Sequence, residues 1–153
     1  MNADRPTILI VDDTPDNIML LATLLKEKYR TKVATNGATA LRILAAGGVD
    51  VVLLDVVMPD MDGHEACRRI VQDPCTAGVP VILLTAQSQP DDEARGLAAG
   101  AVDYITRPIS PPILFARVAT HLALRAARRD LASRNAELEA LLARRDSDAP
   151  GEL

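Results

Sequence analysis

Short apolar segments alternate with helical repeats along most of the chain. Five short segments are predicted strands, at residues 7–11, 32–35, 50–54, 80–84 and 102–105, and the first, third and fourth are rich in Val, Ile and Leu. Between them, apolar residues recur at the spacing of helices that bury one face. The predicted helices begin at Pro15 and cover residues 38–46, 63–72 and 91–99. This alternation predicts consecutive β-α units.

Apart from Asp50, the segments 50–54 (DVVLL) and 80–84 (PVILL) are continuously apolar, as expected of strands that are covered on both faces of a parallel sheet. Short connections and right-handed crossovers favour a flavodoxin-like, doubly wound α/β fold whose five parallel strands lie in the order 2-1-3-4-5. In such sheets, sites form at the carboxyl ends of the strands, beside the point where the strand order reverses. Candidate functional residues are therefore those that follow strands one, three, four and five.

A long helix is predicted after Pro111 and Pro112, because residues 113–145 contain neither Gly nor Pro. Such a helix would measure about 50 Å, which is more than a small domain can cover. The chain is therefore expected to divide into a globular domain, a helical extension and a disordered tail, at residues 6–122, 123–146 and 147–153.

The helical extension has a partial heptad repeat. Leucines recur every seven residues, at Leu124, Leu131 and Leu138. The second heptad position is poorly apolar in both possible registers, with Ala127 and Arg134 in one and Arg128 and Asn135 in the other. A coiled coil that joins two copies of the chain into a homodimer is one prediction. A solvated single helix is the alternative.

Composition indicates a soluble protein of the cytoplasm. Hydrophobic residues make up 48% of the chain and charged residues 25%. No apolar run reaches the ~18 residues of a membrane span, and the amino terminus has charges where a signal peptide would be apolar. The two cysteines have no neighbouring His cluster, as expected of free thiols in a reducing compartment. A net charge of −4 without a basic region argues against direct binding of nucleic acid.

Three carboxylates follow two strands that the predicted order makes neighbours. Asp12 and Asp13 end strand one, and Asp55 ends strand three. Carboxylates that converge in one crevice repel each other unless a cation lies between them, and Mg²⁺ suits an all-oxygen site beside phosphate. A carboxylate can also attack phosphorus to give an aspartyl phosphate. The alternative, that each Asp only forms a turn or caps a helix, explains three at adjacent strand ends poorly.

Two further polar residues follow strands four and five at the same edge of the sheet. The Thr85 hydroxyl can hydrogen-bond a phosphoryl oxygen, and the Arg107 guanidinium can pair with Asp55 or with a phosphoryl oxygen. An ordinary strand-end Thr and a solvated loop Arg are the alternatives. Tyr104, in strand five, is by its position no more than an edge-strand aromatic.

Four motifs in this order and spacing resemble the receiver domains of response regulators, the CheY-like proteins of two-component signalling. They are LIVDD at 9–13, LLDVVMPDMDG at 53–63, ILLTA at 82–86 and DYITRP at 103–108. The resemblance covers residues 6–122. It implies that Asp55 both binds Mg²⁺ and accepts a phosphoryl group from a sensor histidine kinase or a phosphotransfer protein.

The resemblance also implies roles for the other site residues. Asp12 and Asp13 match the acidic metal pair, and the backbone carbonyl of Val57 matches a further Mg²⁺ ligand. Thr85 matches the switch hydroxyl, and Tyr104 matches the aromatic side chain that turns inward after phosphorylation. In this family, phosphorylation remodels the face formed by helix four, strand five and helix five, which is a population shift between two packings. The only catalysis implied is that of the domain's own phosphorylation and dephosphorylation.

Arg107 departs from the family pattern, and Val57 affects how fast the phosphoryl group is expected to be hydrolysed. The family usually has Lys where this chain has Arg107, which keeps the charge but is larger and planar, so an altered phosphorylation rate or an altered coupling to the switch is expected. Val57 and Gln87 flank the route of a hydrolytic water molecule. Because the Val57 side chain cannot orient water, the phosphoryl group is expected to be long-lived.

Residues 101–135 resemble receivers whose fifth helix continues into a coiled-coil linker. Such linkers lead to an HD-GYP phosphodiesterase, a diguanylate cyclase or a kinase module. No sequence typical of those output domains, nor a helix-turn-helix, follows in this chain. A fragment of a longer regulator and a stand-alone regulator therefore both remain open.

Three other functions compete with a phosphorylated receiver. A flavin-binding flavodoxin needs Ser, Thr and Gly after strand one to hold phosphate, and this chain has Asp12 and Asp13 there. A phosphatase of the haloacid dehalogenase type needs a second Asp two residues after Asp55, where this chain has Val57. The third is a degenerate receiver that dimerises constitutively because Arg107 disables its switch.

Overall fold

A five-stranded parallel sheet forms the centre of the protein, in a computed structural model that describes residues 5–86 and 90–148. The strands are β1 (Thr7–Val11), β2 (Arg30–Ala34), β3 (Val51–Asp55), β4 (Val81–Thr85) and β5 (Asp103–Thr106). They lie in the order β2-β1-β3-β4-β5, and every neighbouring pair is parallel. The predicted flavodoxin-like fold is therefore confirmed.

Five helices connect and follow the strands. They are α1 (Pro15–Leu25), α2 (Gly37–Ala45), α3 (Gly63–Gln72), α4 (Pro90–Ala98) and α5 (Pro111–Asp148). Helix α5 includes Ser147 and Asp148, which begin the segment that was expected to be disordered, and residues 149–153 lie outside the described residues. The Arg107–Pro108 peptide bond before α5 is cis.

Strand β2 departs from its predicted position, 32–35. It begins at Arg30 because the polar residues Arg30 and Thr31 pair with Thr7 and Ile8 of β1. This is an edge strand whose outward residues face water, so its apolar content does not mark where the pairing starts. Strands β1, β3 and β4 are instead buried at every residue, as their continuous apolar sequences predict.

Aliphatic side chains form a core on each face of the sheet. One core lies under α2 and α3 and includes Leu44 and Ile70. The other lies under α1 and α5, where Leu114 and Val118 are fully buried. Both faces of the inner strands are covered, which is why these strands carry apolar residues at consecutive positions rather than at alternate ones.

Helix α5 leaves the domain at Arg125, at the amino-terminal end of the sheet. Arg125 Nη1 donates to the Val49 carbonyl oxygen and to Asp50 Oδ1, both at 2.9 Å. The second Asp50 oxygen accepts the Thr7 amide at 2.8 Å, so the helix is fastened to the start of both β1 and β3. From residue 126 to residue 146 every side chain is exposed. No helix within the described ranges is long and apolar enough to cross a membrane.

Candidate functional site

Strands β1 and β3 bring three carboxylates together at the carboxyl end of the sheet. Val11 pairs with Leu54, so the next residues of the two segments, Asp12 and Asp55, emerge side by side. One oxygen from each of Asp12, Asp13 and Asp55 lies within 4.8 Å of the other two. The predicted crevice therefore exists, and all three candidate carboxylate ligands line it.

The three carboxylates differ in their exposure to water. Asp12 is fully buried, Asp55 is 9% exposed and Asp13 is exposed. The buried charge of Asp12 is compensated, since Oδ1 accepts the Thr14 amide at 2.9 Å and Oδ2 accepts Arg107 Nη2 at 2.7 Å. A buried carboxylate without such partners would cost several kcal/mol.

Arg107 crosses the site from the end of β5. Its backbone amide donates to the Thr85 carbonyl oxygen at 2.7 Å, which fixes the start of the side chain beside β4. Nη2 lies 2.7 Å from Asp12 Oδ2 but 3.7 Å from Asp55 Oδ1. The pairing with Asp55 that the sequence suggested is thus secondary to an ion pair with Asp12. The planar guanidinium reaches the more deeply buried carboxylate, where its charge is screened least.

Asp55 carries a poorly compensated charge. Burial is the main cause that raises its pKa to about 6 from an ordinary value of 3.8, and the negative charge of Asp12 raises it further. Arg107 and the Val57 amide, which donates to Asp55 Oδ1 at 3.3 Å, act in the opposite direction and only partly offset this. A divalent cation between the carboxylates would favour the ionised form of Asp55 and so oppose the rise in its pKa.

Thr85 ends β4 next to Asp55 in the sheet. Leu84 pairs with Asp55, so the Thr85 side chain follows at the same edge. Its hydroxyl oxygen is buried and has no hydrogen-bond partner in the part of the chain that the structure describes. Buried hydroxyls without partners are uncommon and call for an explanation. An oxygen atom of a bound group beside Asp55 would provide one.

Tyr104 and Val57 lie at the margin of the site. Tyr104 is half-buried, and a hydrogen bond to the side chain of Glu93 in α4 raises its pKa, with burial adding to the effect. Val57 is 72% exposed. Gln87, the second residue expected beside the water route, lies outside the described residues. The switching role of Tyr104 and the metal-binding role of the Val57 carbonyl remain predictions.

Two features of this region were not found from the sequence. His64, directly after the MDG motif, is only 2% exposed, and its Nε2 has no hydrogen-bond partner among the described residues. Asp60, in the loop between β3 and α3, accepts the backbone amides of Gly37 and Ala38 at the start of α2. The sequence marks both residues as polar but gives no sign of what surrounds them.

The sequence is similar to one protein family and to part of several longer proteins. A family model for the response regulator receiver domain matches residues 8–119. The "Probable cyclic di-GMP phosphodiesterase" of Vibrio cholerae is 46% identical over 142 residues, which are 93% of this chain and 32% of that protein. "Response regulator PleD" of Caulobacter vibrioides is 46% identical over 112 residues, 72% of this chain and 25% of that protein. The chain thus spans a third or less of these relatives.

A solved structure has the same fold. The signal receiver domain of an HD domain-containing protein from Pseudomonas fluorescens has a TM-score of 0.76 and 28% identity, and the match covers 82% of this chain and 93% of that one. Because the family model matches most of the chain, and its residues include all three clustered carboxylates, the fold and the site agree on one assignment. The chain belongs to the response regulator receiver domain family.

Proposed function

We propose that Asp55 accepts a phosphoryl group from a histidine kinase or a phosphotransfer protein in a reaction that requires Mg²⁺. The observation that carries the proposal is the pocket in which oxygens of Asp12, Asp13 and Asp55 lie within 4.8 Å of one another. This donor set suits a small hard cation. With the Val57 carbonyl, the three carboxylates would hold Mg²⁺, which when bound neutralises and aligns the phosphoryl oxygens.

Asp55 acts as the nucleophile. One of its oxygens forms a bond to phosphorus while the phosphorus–nitrogen bond of the donor phosphohistidine breaks, and the electron pair of that bond returns to the imidazole. The carboxylate is ionised at neutral pH, since its pKa of about 6 in the metal-free protein lies below 7 and a bound cation would lower it. It therefore needs no general base to prepare it for attack.

Arg107 and Thr85 respond to the new phosphoryl group. The unpartnered Thr85 hydroxyl donates a hydrogen bond to one phosphoryl oxygen. Arg107, which lies 3.7 Å from Asp55 Oδ1, pairs with another. Movement of the end of β4 toward the phosphoryl group gives the Tyr104 ring space to turn inward and leave its hydrogen bond to Glu93. This rearrangement alters the face formed by α4, β5 and α5.

Mass spectrometry after incubation with acetyl phosphate tests the reaction. We expect one phosphoryl group per wild-type chain when Mg²⁺ is present, and none when the metal is chelated. The matched control is Asp55→Asn, which keeps the shape of the side chain and removes the nucleophile. Labelling of Asp55→Asn to the same extent, or labelling without a divalent metal, would contradict the proposal.

A degenerate receiver is the alternative that one observation favours. The 2.7 Å ion pair between Arg107 and Asp12 could hold the site in a single state. Mg²⁺ with beryllofluoride discriminates between the two functions, because a working switch shifts the amide resonances of Asp55, Thr85 and Tyr104. Arg107→Lys tests the departure from the family, and we expect its acetyl phosphate labelling rate to differ from that of the wild type. Unchanged resonances in the wild type would favour the degenerate receiver.

We further propose that two copies of the chain associate through α5 beyond Arg125. Five leucines of this helix are between 46% and 60% exposed, namely Leu124, Leu131, Leu138, Leu141 and Leu142. Large apolar side chains repeated along a projecting helix are typical of a helix that pairs with another helix. Because Arg125 fastens the base of the helix to the sheet, a change at the α4-β5-α5 face can alter how the two helices meet.

A parallel, in-register pair fits the polar residues of this helix best. With Leu131 and Leu138 at position d, Asn135 lies at position a and faces the same residue of the second copy. Arg134 and Glu139 then flank the seam, where each faces the opposite charge across the interface. In an antiparallel pair, Asn135 would face leucines and lose its hydrogen-bond partner.

Light scattering and cross-linking test this association. Leu131→Glu should convert a dimer into a monomer, whereas Ala136→Glu, which adds the same charge outside the seam, should not. In a Cys75→Ser background, Leu138→Cys should form a disulfide between copies under mild oxidation, since only parallel helices bring these positions within bonding distance. A wild-type monomer in both phosphorylation states would refute the dimer, and a dimer without the cross-link would refute its orientation.

A further inference from the structure

The loop between β3 and α3 carries Val57 and is closed tightly at its base. The Gly63 amide donates to the Val56 carbonyl oxygen at 2.7 Å. A Cβ atom at Gly63 would lie 2.5 Å from the carbonyl oxygen of Asp55, so only Gly allows α3 to start this close to the end of β3. The two ends of the loop are therefore fixed next to the phosphoacceptor.

The tip of the same loop is fixed to a different element. Asp60 Oδ1 accepts the Gly37 amide at 3.1 Å, and Oδ2 accepts the Ala38 amide at 3.2 Å. Next to these contacts, a Cβ atom at Gly37 would lie 2.6 Å from the Met61 side chain, so the loop packs closely on the first turn of α2. The loop is thus held at its base by β3 and at its tip by α2.

The start of α2 is well suited to hold a carboxylate. The first amides of a helix have no partner within the helix and carry a partial positive charge. The Asn36 side chain accepts the Thr39 amide at 2.8 Å, and the amides of Gly37 and Ala38 donate to Asp60 instead. Burial acts to raise the pKa of Asp60, but hydrogen bonds from these and neighbouring amides outweigh it and lower the pKa, so the carboxylate stays ionised.

We infer that Asp60 is a positioning residue, which fastens the loop to α2 and thereby holds the Val57 carbonyl and Asp55 in the geometry that Mg²⁺ binding requires. The inference rests on the proposed function, because it concerns the metal of that same site. Asp60 does not belong to the carboxylate cluster, so it acts on Mg²⁺ binding only through the position of the loop. Without it, the two residues between Val57 and Asp60 can move, and metal binding must first order them.

The Mg²⁺ affinity of the full chain tests this role. A titration followed by amide resonances gives the dissociation constant directly, without any phosphorylation assay. We expect Asp60→Ala to bind Mg²⁺ about tenfold more weakly than the wild type, the lower end of the effects seen when residues that orient metal ligands are removed. Asp60→Asn retains one acceptor oxygen and should lie between the two. In metal-free protein, the amide resonances of Gly37 and Ala38 should shift in both variants.

A change of charge alone must be separated from a change of loop position. The matched control is Asp62→Ser, which removes one negative charge from the same loop but keeps a side chain that can accept the Glu65 amide at the start of α3. Asp62→Ser should bind Mg²⁺ within about twofold of the wild type. Equal losses in Asp60→Ala and Asp62→Ser would overturn the inference, because distant charge would then explain both.

The outcomes also separate this inference from the proposed function. A wild-type chain that neither binds Mg²⁺ nor accepts a phosphoryl group from acetyl phosphate would refute the proposed function. A wild-type chain that does both, while Asp60→Ala binds Mg²⁺ equally well, would refute the role of Asp60 alone. Circular dichroism of Asp60→Asn guards against loss of fold, since this variant changes one atom of an exposed side chain.

Discussion

Replacing Asp55 by Asn should increase the free energy of unfolding of the metal-free protein. Asp55 is 9% exposed, and one of its carboxylate oxygens lies within 4.8 Å of those of Asp12 and Asp13. Burial and the charge of Asp12 raise its pKa to about 6 from 3.8, so its ionised form is disfavoured in the folded state. Asn has nearly the same shape, can still accept the Val57 amide and carries no charge.

The size of the effect follows from the shift in pKa. A carboxyl group whose pKa is raised by folding stabilises the fold only while it is protonated, and this contribution is lost as the pH rises through the folded pKa of about 6. One pKa unit corresponds to about 1.4 kcal/mol, so the full penalty is about 3 kcal/mol. Asp55→Asn should therefore exceed the wild type by about 3 kcal/mol near pH 8, and by less than about 0.5 kcal/mol near pH 3.5.

Urea unfolding followed by circular dichroism measures this difference. The experiment uses a chelator and a series of pH values from below the ordinary pKa of Asp to above the raised one. Asp146→Asn, in the exposed part of α5, is the control and should show no such pH-dependent gain. Addition of Mg²⁺ should stabilise the wild type more than Asp55→Asn and so reduce the difference. A gain that is the same at low and high pH would refute the reasoning, because charge would then not be its cause.

Three further substitutions test other features. Val57→Asn should shorten the lifetime of the phosphoryl group, since its amide can orient the hydrolytic water that exposed Val57 cannot, and a decay of the label as slow as in the wild type would contradict this. His64→Leu should raise the free energy of unfolding by about 1–2 kcal/mol, because it removes a buried Nε2 without a partner among the described residues, and a lower urea midpoint would show that the imidazole is satisfied. Arg125→Met keeps the apolar stem but removes the bonds to Val49 and Asp50, so it should lower the free energy of unfolding by about 1–3 kcal/mol while leaving acetyl phosphate labelling unchanged. Loss of labelling would mean that the base of α5 is coupled to the phosphoacceptor.

The fold and the position of the site could be predicted from the sequence. Segments such as 51–54 and 81–84 are so short and so uniformly apolar that burial on both faces is expected, and this leaves few ways to arrange five strands. Once the order is fixed, the ends of β1 and β3 must be neighbours, and Asp12, Asp13 and Asp55 must meet. Hydrophobic periodicity is a property of the local sequence, so it predicts the strands and helices without knowledge of how their side chains pack.

The contacts that tune the site depend on the folded structure. Arg107 pairs first with Asp12, which is 95 positions away, Asp60 holds the start of α2 across 23 positions, and Arg125 joins α5 to Asp50 across 75 positions. Each contact is a directional hydrogen bond of a polar side chain, and a displacement of about 1 Å would exchange one partner for another. Composition and spacing predict which residues gather at the end of the sheet. Which atoms they bond is decided by distances that exist only once both layers of helices have packed against it.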